Sequence, residues 1–212
     1  MNITAVAAGG YHSLALKDDG TVWTWGNYND GRMDPDPARG YWAGFQAMEA
    51  TDYSGYLFNN TTAMTGGEKH SLVVHDGTVQ GWGNYNLYYI RNVEGITSAS
   101  AVEATAYASF VLKADGTVWV SGIDTGNGGT GCGAHGTPWY HNHTTPIQVV
   151  GEGGSGYLVN VIAIDTGEFH GVAVKDNGDG TYSYWTWGNN VSGMLGNGNT
   201  TNSWTPVQVT IP

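Results

Sequence analysis

Four side chains between Cys132 and His143 have the types and the spacing of a metal site. They run Cys132-x2-His135-x5-His141-x-His143. A thiolate with three imidazoles suits zinc, and a His-x-His pair on a strand sends both rings to one face. The stretch around Cys132 and His135 is rich in glycine, however, and reads first as a polar surface loop. The run Asp176-Asn-Gly-Asp-Gly180 hints at calcium. Glycine holds its third place, where an EF-type loop needs an oxygen ligand, so it reads as an expanded hairpin turn. There is no Gly-x-Ser-x-Gly, no phosphate-cradling loop and no carboxylate pair at readable spacing. The expectation is a chain with no catalytic residue and no cofactor.

Aromatic residues in segments rich in Gly, Asn and Pro form a second set. Tyr28, Tyr41, Trp42, Tyr85, Tyr88, Tyr89, Trp139 and Tyr140 could stack on sugar rings or anchor a protein interface. Equally, they could pack the loops down onto the body. Asn-x-Ser/Thr sites occur at Asn2, Asn59, Asn60, Asn142, Asn190 and Asn199, and reflect an Asn/Thr-rich composition.

The elements that must position these residues repeat along the chain. Ala7–Asn27, Gly66–Asn84, Ala106–Gly122 and Gly167–Asn189 follow one pattern. A Gly-rich start leads to a strand such as His12-Ser-Leu-Ala-Leu-Lys17. An Asp-Gly turn follows, at Asp19-Gly20, Asp76-Gly77 or Asp115-Gly116. A β-branched and aromatic strand such as Thr21-Val-Trp-Thr-Trp25 comes next and ends at glycine. The equivalent strand starts are His12, His70, Ala108 and His170, spaced 58, 38 and 62 residues apart. The equivalent strand ends are Gly26, Gly83, Gly122 and Gly188. One repeat position is spread around a ring, so these histidines cannot converge on a metal. They are expected to be structural, each bonding backbone inside its own blade. Four units over 212 residues are close to a blade of about 50 residues. The expected fold is an all-β propeller with units near 1–59, 60–95, 96–158 and 159–212. It closes as four blades, or belongs to a larger ring or assembly.

Charge narrows the partners. Seven Lys and Arg face eighteen Asp and Glu, for a formal net charge of −11. A nucleic-acid binder needs a basic stripe to displace counterions from phosphate, and seven scattered cations supply none. No apolar run is long enough to span a bilayer, and the N-terminus carries no secretory signal. With 12% charged residues the surface is mostly Asn, Thr, Ser, Gly and aromatic, which favours a virion or extracellular setting over the cytoplasm. Cys132 is a single cysteine, so no internal disulfide forms.

The units resemble the regulator of chromosome condensation repeat family. Ala7-Ala-Gly-Gly-Tyr-His-Ser-Leu-Ala-Leu16 and Asp19-Gly-Thr-Val-Trp-Thr-Trp-Gly-Asn27 match its repeat nearly residue for residue. Gly193-Met-Leu-Gly196, Pro146-Ile-Gln-Val149 and Pro206-Val-Gln-Val209 match its later parts. The resemblance implies a β-propeller. It departs in having four units where the family's named member has seven, and in Ala108 where the other units have histidine. The family's chromatin and exchange roles rest on loops with no counterpart readable here.

The function expected is therefore a structural or binding protein that presents loops on a propeller. Its partners are protein subunits, its own copies or others, as in a virion component. The alternative is a glycan- or protein-recognition module of lectin type, and an exchange factor or enzyme ranks last.

Overall fold

The computed structural model describes residues 2–27, 47–51, 56–83, 93, 95–125 and 140–211. Its strands fall into successive antiparallel meanders. The first sheet is β1 (Ile3–Ala8), β2 (His12–Lys17), β3 (Val22–Gly26) and β4 (Met48–Glu49). The second is β5 (Thr61–Gly66), β6 (His70–His75) and β7 (Thr78–Gly83). The third is β8 (Ala99–Ala104), β9 (Ala108–Lys113), β10 (Val118–Thr125) and β11 (Tyr140–Gln148). The fourth is β12 (Val161–Thr166), β13 (His170–Asp176), β14 (Tyr182–Gly188) and β15 (Ser203–Gln208). Val93 extends the likeness in the second sheet. Its N–H bonds the Val79 carbonyl, as Ala50, Val149 and Val209 bond Val22, Val118 and Tyr184. The architecture is a β-propeller with four blades.

The same register recurs in every blade. His12 faces Gly26, His70 faces Gly83, Ala108 faces Gly122 and His170 faces Gly188. The inner strands β1, β5, β8 and β12 each carry a register shift after their first residue. Alternation then sorts side chains onto two faces, because successive residues of a strand point opposite ways. The forward face carries Leu14, Leu16 and Val22, then Leu72, Val74 and Val79, then Phe110, Leu112 and Val118, all buried. Each set packs on the backward face of the next blade. Val73 and Trp82 meet the first set. Val102 and Val111 meet the second, and Ala173, Trp185 and Trp187 meet the third. The core is thus three seams between four blades.

The turns differ in detail. Asp76 and Gly77 have φ of 49° and 72°, the two-residue hairpin that an Asp-Gly pair favours. The first and third turns are one residue longer. Gly20 and Gly116 close them with N–H bonds to the Lys17 and Lys113 carbonyls. There Asp19 and Asp115 each accept the N–H and hydroxyl of the threonine two residues on, at 3.0 and 2.6 Å. Those bonds hold both carboxyls below the usual range. The fourth turn repeats the device with Asp179 and Thr181, and Asp176 accepts the Gly178 N–H. The Asp176–Gly180 run is a hairpin turn whose carboxylates serve the turn itself.

Glycine ends the third strand of each blade for a steric reason. Gly26, Gly83, Gly122 and Gly188 have φ of 124°, 139°, 127° and 112°. A Cβ on Gly83 would lie 2.3 Å from the Lys69 carbonyl oxygen. On Gly178 (φ 79°) it would meet nothing within 4 Å. Gly178→Ala is therefore expected to cost about 1 kcal/mol, the strain of positive φ alone. Gly83→Ala is expected to cost about 3 kcal/mol or more, because backbone must also shift. Urea unfolding of the two variants checks the difference, and equal losses would refute it.

Candidate functional site

The blades are joined by a side-chain relay near the start of each second strand. His12 Nε2 lies 2.7 Å from Ser71 Oγ in the next blade. His70 Nε2 lies 3.3 Å from Ser109 Oγ in the blade after that. The bonds therefore run between blades, not to backbone within one as the sequence suggested. The reason is the glycine three residues earlier. A Cβ on Gly9, Gly67 or Gly167 would sit 2.2, 2.5 or 2.2 Å from Cε1 of His12, His70 or His170. The imidazole lies over the bare backbone and reaches outward across the seam. Where Ala108 replaces the histidine, the whole set changes. Thr105 stands in the glycine position, and its hydroxyl accepts the Ala108 N–H at 2.9 Å. Gly171 stands in the serine position, where a Cβ would lie 2.6 Å from the Trp187 ring. Indole fills the seam in place of the polar pair.

These joints surround one end of the propeller axis. The inner strands β1, β5, β8 and β12 approach one another there. The turns that follow them line a groove of about 480 Å³. Its rim includes Gly9, Gly10 and Tyr11, then Gly66, Gly67 and Glu68, then Thr105, then Thr166, Gly167 and Glu168. Backbone ties hold the rim together. The Gly10 N–H bonds the Gly67 carbonyl, and the Ala106 N–H bonds the Glu168 carbonyl, both at 3.0 Å. The Thr166 hydroxyl donates to the Ala104 carbonyl at 3.0 Å. Glu68 has Lys69 Nζ 4.0 Å away, a loose contact. Below the rim, Thr65, Glu103 and Asp165 occupy one register position on successive inner strands. The Thr65 hydroxyl donates to Glu103 Oε2 at 3.2 Å. Burial, with Asp165 adding like charge, pushes the Glu103 carboxyl up to about 7. Burial drives His70 the other way, to about 4, with His12 contributing.

The groove residues and the serine acceptors escaped sequence reasoning. The usable signal was the loss of Gly and His in the third unit together with the loss of Ser in the fourth. Asn190 also escaped, counted only among the Asn-x-Ser/Thr positions that reflect composition. It is fully buried. Its amide donates to the carbonyls of Asn199 and Thr201 and accepts the Leu195 N–H. It pins the loop that carries Gly193–Gly196.

The remaining sequence candidates are placed as follows. Tyr28, Tyr41, Trp42, Tyr85, Tyr88, Tyr89 and Trp139 lie outside the described residues, as do Cys132 and His135. Tyr140, His141 and His143 lie on β11, with backbone partners Thr125, Asp124 and Gly122. Among the described residues no group of three or more His, Cys, Asp or Glu could hold a metal ion. His12, His70 and His170 stand in separate blades.

The two shifted groups give opposite pH dependences. His70 has a folded value below the ordinary 6.5, so its contribution is complete above pH 6.5 and is lost as pH falls toward 4. That loss is at most about 3 kcal/mol. Glu103 has a folded value above the ordinary 4.5, so its contribution is complete below pH 4.5 and is lost as pH rises through 7. Glu103→Gln is therefore expected to raise the melting temperature relative to wild type at pH 8, but not at pH 4.5. Thermal melts at the two pH values decide it, and an equal shift at both would refute the assignment.

Comparison with known proteins agrees with this geometry. Sequence patterns of the family described as "Regulator of chromosome condensation (RCC1) repeat" match residues 3–32 and 183–212. The chain is 26% identical to the human E3 ubiquitin-protein ligase HERC2, over 94% of this chain and 4% of that protein. It is 26% identical to the mitochondrial RCC1 domain-containing protein RUG3 of Arabidopsis thaliana, over 92% of this chain and 44% of that one. Among solved structures, human WBSCR16 superposes with a TM-score of 0.77 at 22% identity, over 100% of this chain and 54% of that chain. Yeast RCC1 (Prp20), in its complex with Kap60, superposes with a TM-score of 0.71 at 18% identity, over 99% and 49%. The chain thus spans less than half of these curated relatives and about half of these solved chains. With repeat patterns matched near both ends and a propeller fold like theirs throughout, the chain resembles RCC1-repeat proteins in sequence and in fold.

Proposed function

We propose that the chain is a non-catalytic scaffold that holds a basic segment of a protein partner in the axial groove. The RCC1-like propeller fold supports a binding or scaffold role in general. The observation that carries the finer reading is the groove itself. It is built of glycine turns, which let a partner backbone approach closely, and its rim carries Glu68 and Glu168. Tyr11 stands at the same rim, 59% exposed, and offers an aromatic face to an arginine or lysine. A net charge of −11 steers a cationic partner toward the molecule and turns nucleic acid away. Yeast RCC1 bound to Kap60 is a protein complex on this fold and supports the reading by analogy. The low charge and Asn/Thr-rich surface fit a place in a virion or an extracellular assembly.

The test is a titration with a short peptide rich in lysine and arginine, alongside an acidic peptide of equal length. The basic peptide is expected to bind, and the acidic one not. Replacing Glu68 and Glu168 together with lysine is expected to weaken binding at least tenfold and to flatten its salt dependence. Binding that ignores the double substitution would remove the groove from the account. Absence of binding by the wild-type protein would remove the basic-partner reading.

A further inference from the structure

Each inner strand begins with the same irregular step, and in blade four its chemistry changes. The residue skipped at the register shift is Thr4, Thr62, Ser100 and Ile162 in turn. All four are exposed, Thr62 and Ser100 with a blade on either side, so exposure belongs to the position itself. Thr4 and Ser100 suit it, their hydroxyls donating to the Leu16 and Leu112 carbonyls at 3.3 and 3.1 Å. Ile162 has no donor to offer and is 53% exposed. A second replacement lies close by in the chain. A residue of positive φ precedes the strand at Asn60, Ser98 and Asn160, with φ of 53°, 59° and 60°. The residue before it is Asn59, Thr97 or Val159, all exposed, and Val159 is 38% exposed. One exposed apolar residue needs no explanation, but two polar repeat positions turned apolar at one place do.

Ile162 lines a cleft of about 430 Å³ at the seam between blades three and four. The turn with Asp115 and Gly116 makes one wall, and Asp176 and Gly178 make the other. The second wall belongs to the expanded turn Asp176–Gly180. Its Asn177 amide donates to Thr181 Oγ1 and accepts from the Ser183 hydroxyl, both at 2.9 Å. A wall fixed in this way loses little freedom when a partner docks. Two carboxylates line the cleft, and among the described residues no basic side chain does. Lys113 Nζ lies 3.3 Å from Asp115, but over the Trp119 ring, on the face of blade three that meets blade two. β12 runs from this cleft at Val161 to the axial groove at Thr166, so the two sites lie at opposite ends of that strand.

We propose that this cleft is a second docking site, which takes from another protein a short segment with an apolar side chain next to an arginine or lysine. The apolar side chain covers Ile162 and Val159. The cation reaches between the walls to Asp115 and Asp176. Charge complementarity selects this occupant, because a cationic head satisfies two carboxylates that a purely apolar segment would leave facing it. A second copy of the chain is the poorer fit, since both copies would approach with a net charge of −11. This inference is independent of the groove reading.

The test is a titration of the full chain, followed by backbone amide NMR shifts, with the capped peptide Ser-Gly-Leu-Arg-Gly-Ser. Two analogues serve as controls, one with serine for leucine and one with glutamate for arginine. The parent peptide is expected to move the amides of Gly116, Ile162 and Gly178, and neither analogue is expected to do so. Ile162→Thr restores the residue found at Thr4 and Thr62, so the fold is kept, and it is expected to weaken these shifts about tenfold in affinity. Replacing Glu68 and Glu168 with lysine is expected to leave them unchanged, which separates this cleft from the groove. Shifts confined to Gly10 and Gly67 would overturn the proposal, as would no shifts at all or shifts indifferent to Ile162→Thr. Self-association without peptide that Ile162→Thr abolishes would also overturn it, giving the surface to a second copy.

Discussion

An imidazole stacked on a residue without a side chain, and bonded across a seam to a serine, is the contact on which this propeller is organised. Its geometry explains why several repeat positions are occupied together. Gly9 and Gly67 leave room for the rings of His12 and His70. Ser71 and Ser109 receive them from the next blade. Gly26 and Gly83 face the same histidines across the hairpin, where a Cβ would strike backbone. A buried polar group costs free energy unless it is bonded, so the pair fixes the rotation of one blade against the next. The apolar faces then supply most of the stabilisation, because they bury large side chains along the whole seam. The third seam confirms the division of labour. It drops the pair, places Thr105, Ala108 and Gly171 at the three positions, and fills the space with Trp187.

Much of this was legible in the sequence. Alternation over Ser13–Lys17, the Asp-Gly turns and the terminal glycines specified strands, hairpins and blade count, because each is a local property of the chain. The direction of the histidine bonds was not legible. It depends on which blade lies beside which, and a strand carries no record of its neighbour. The rim of the groove was hidden for a similar reason. Glu68 and Glu168 lie 100 residues apart and meet only because their turns sit at one end of the axis. Asn190 passed as one more residue of an Asn-rich composition, because local sequence says nothing of burial. Its role needs the fold-back of residues 189–202, which brings five backbone and side-chain groups to the side-chain amide.

Function follows from the same layout. A propeller with repeated seams is a rigid frame, and its rim is free to vary because the seams do the holding. Here the rim is glycine and glutamate over an inner carboxyl, Glu103, whose pKa burial pushes up to about 7. Such a surface suits the cationic peptide proposed as its partner better than it suits phosphate.

The claim that the blades are coupled through the histidine–serine joints is tested most directly by a double-mutant cycle. His70→Ala, Ser109→Ala and the double variant would be unfolded in urea at pH 7.5. The account predicts that each single substitution destabilises the protein and that the pair is non-additive, with a coupling of about 1 kcal/mol or more. Strict additivity would contradict it. The seams would then be held by apolar packing alone, with the histidine merely filling space over Gly67.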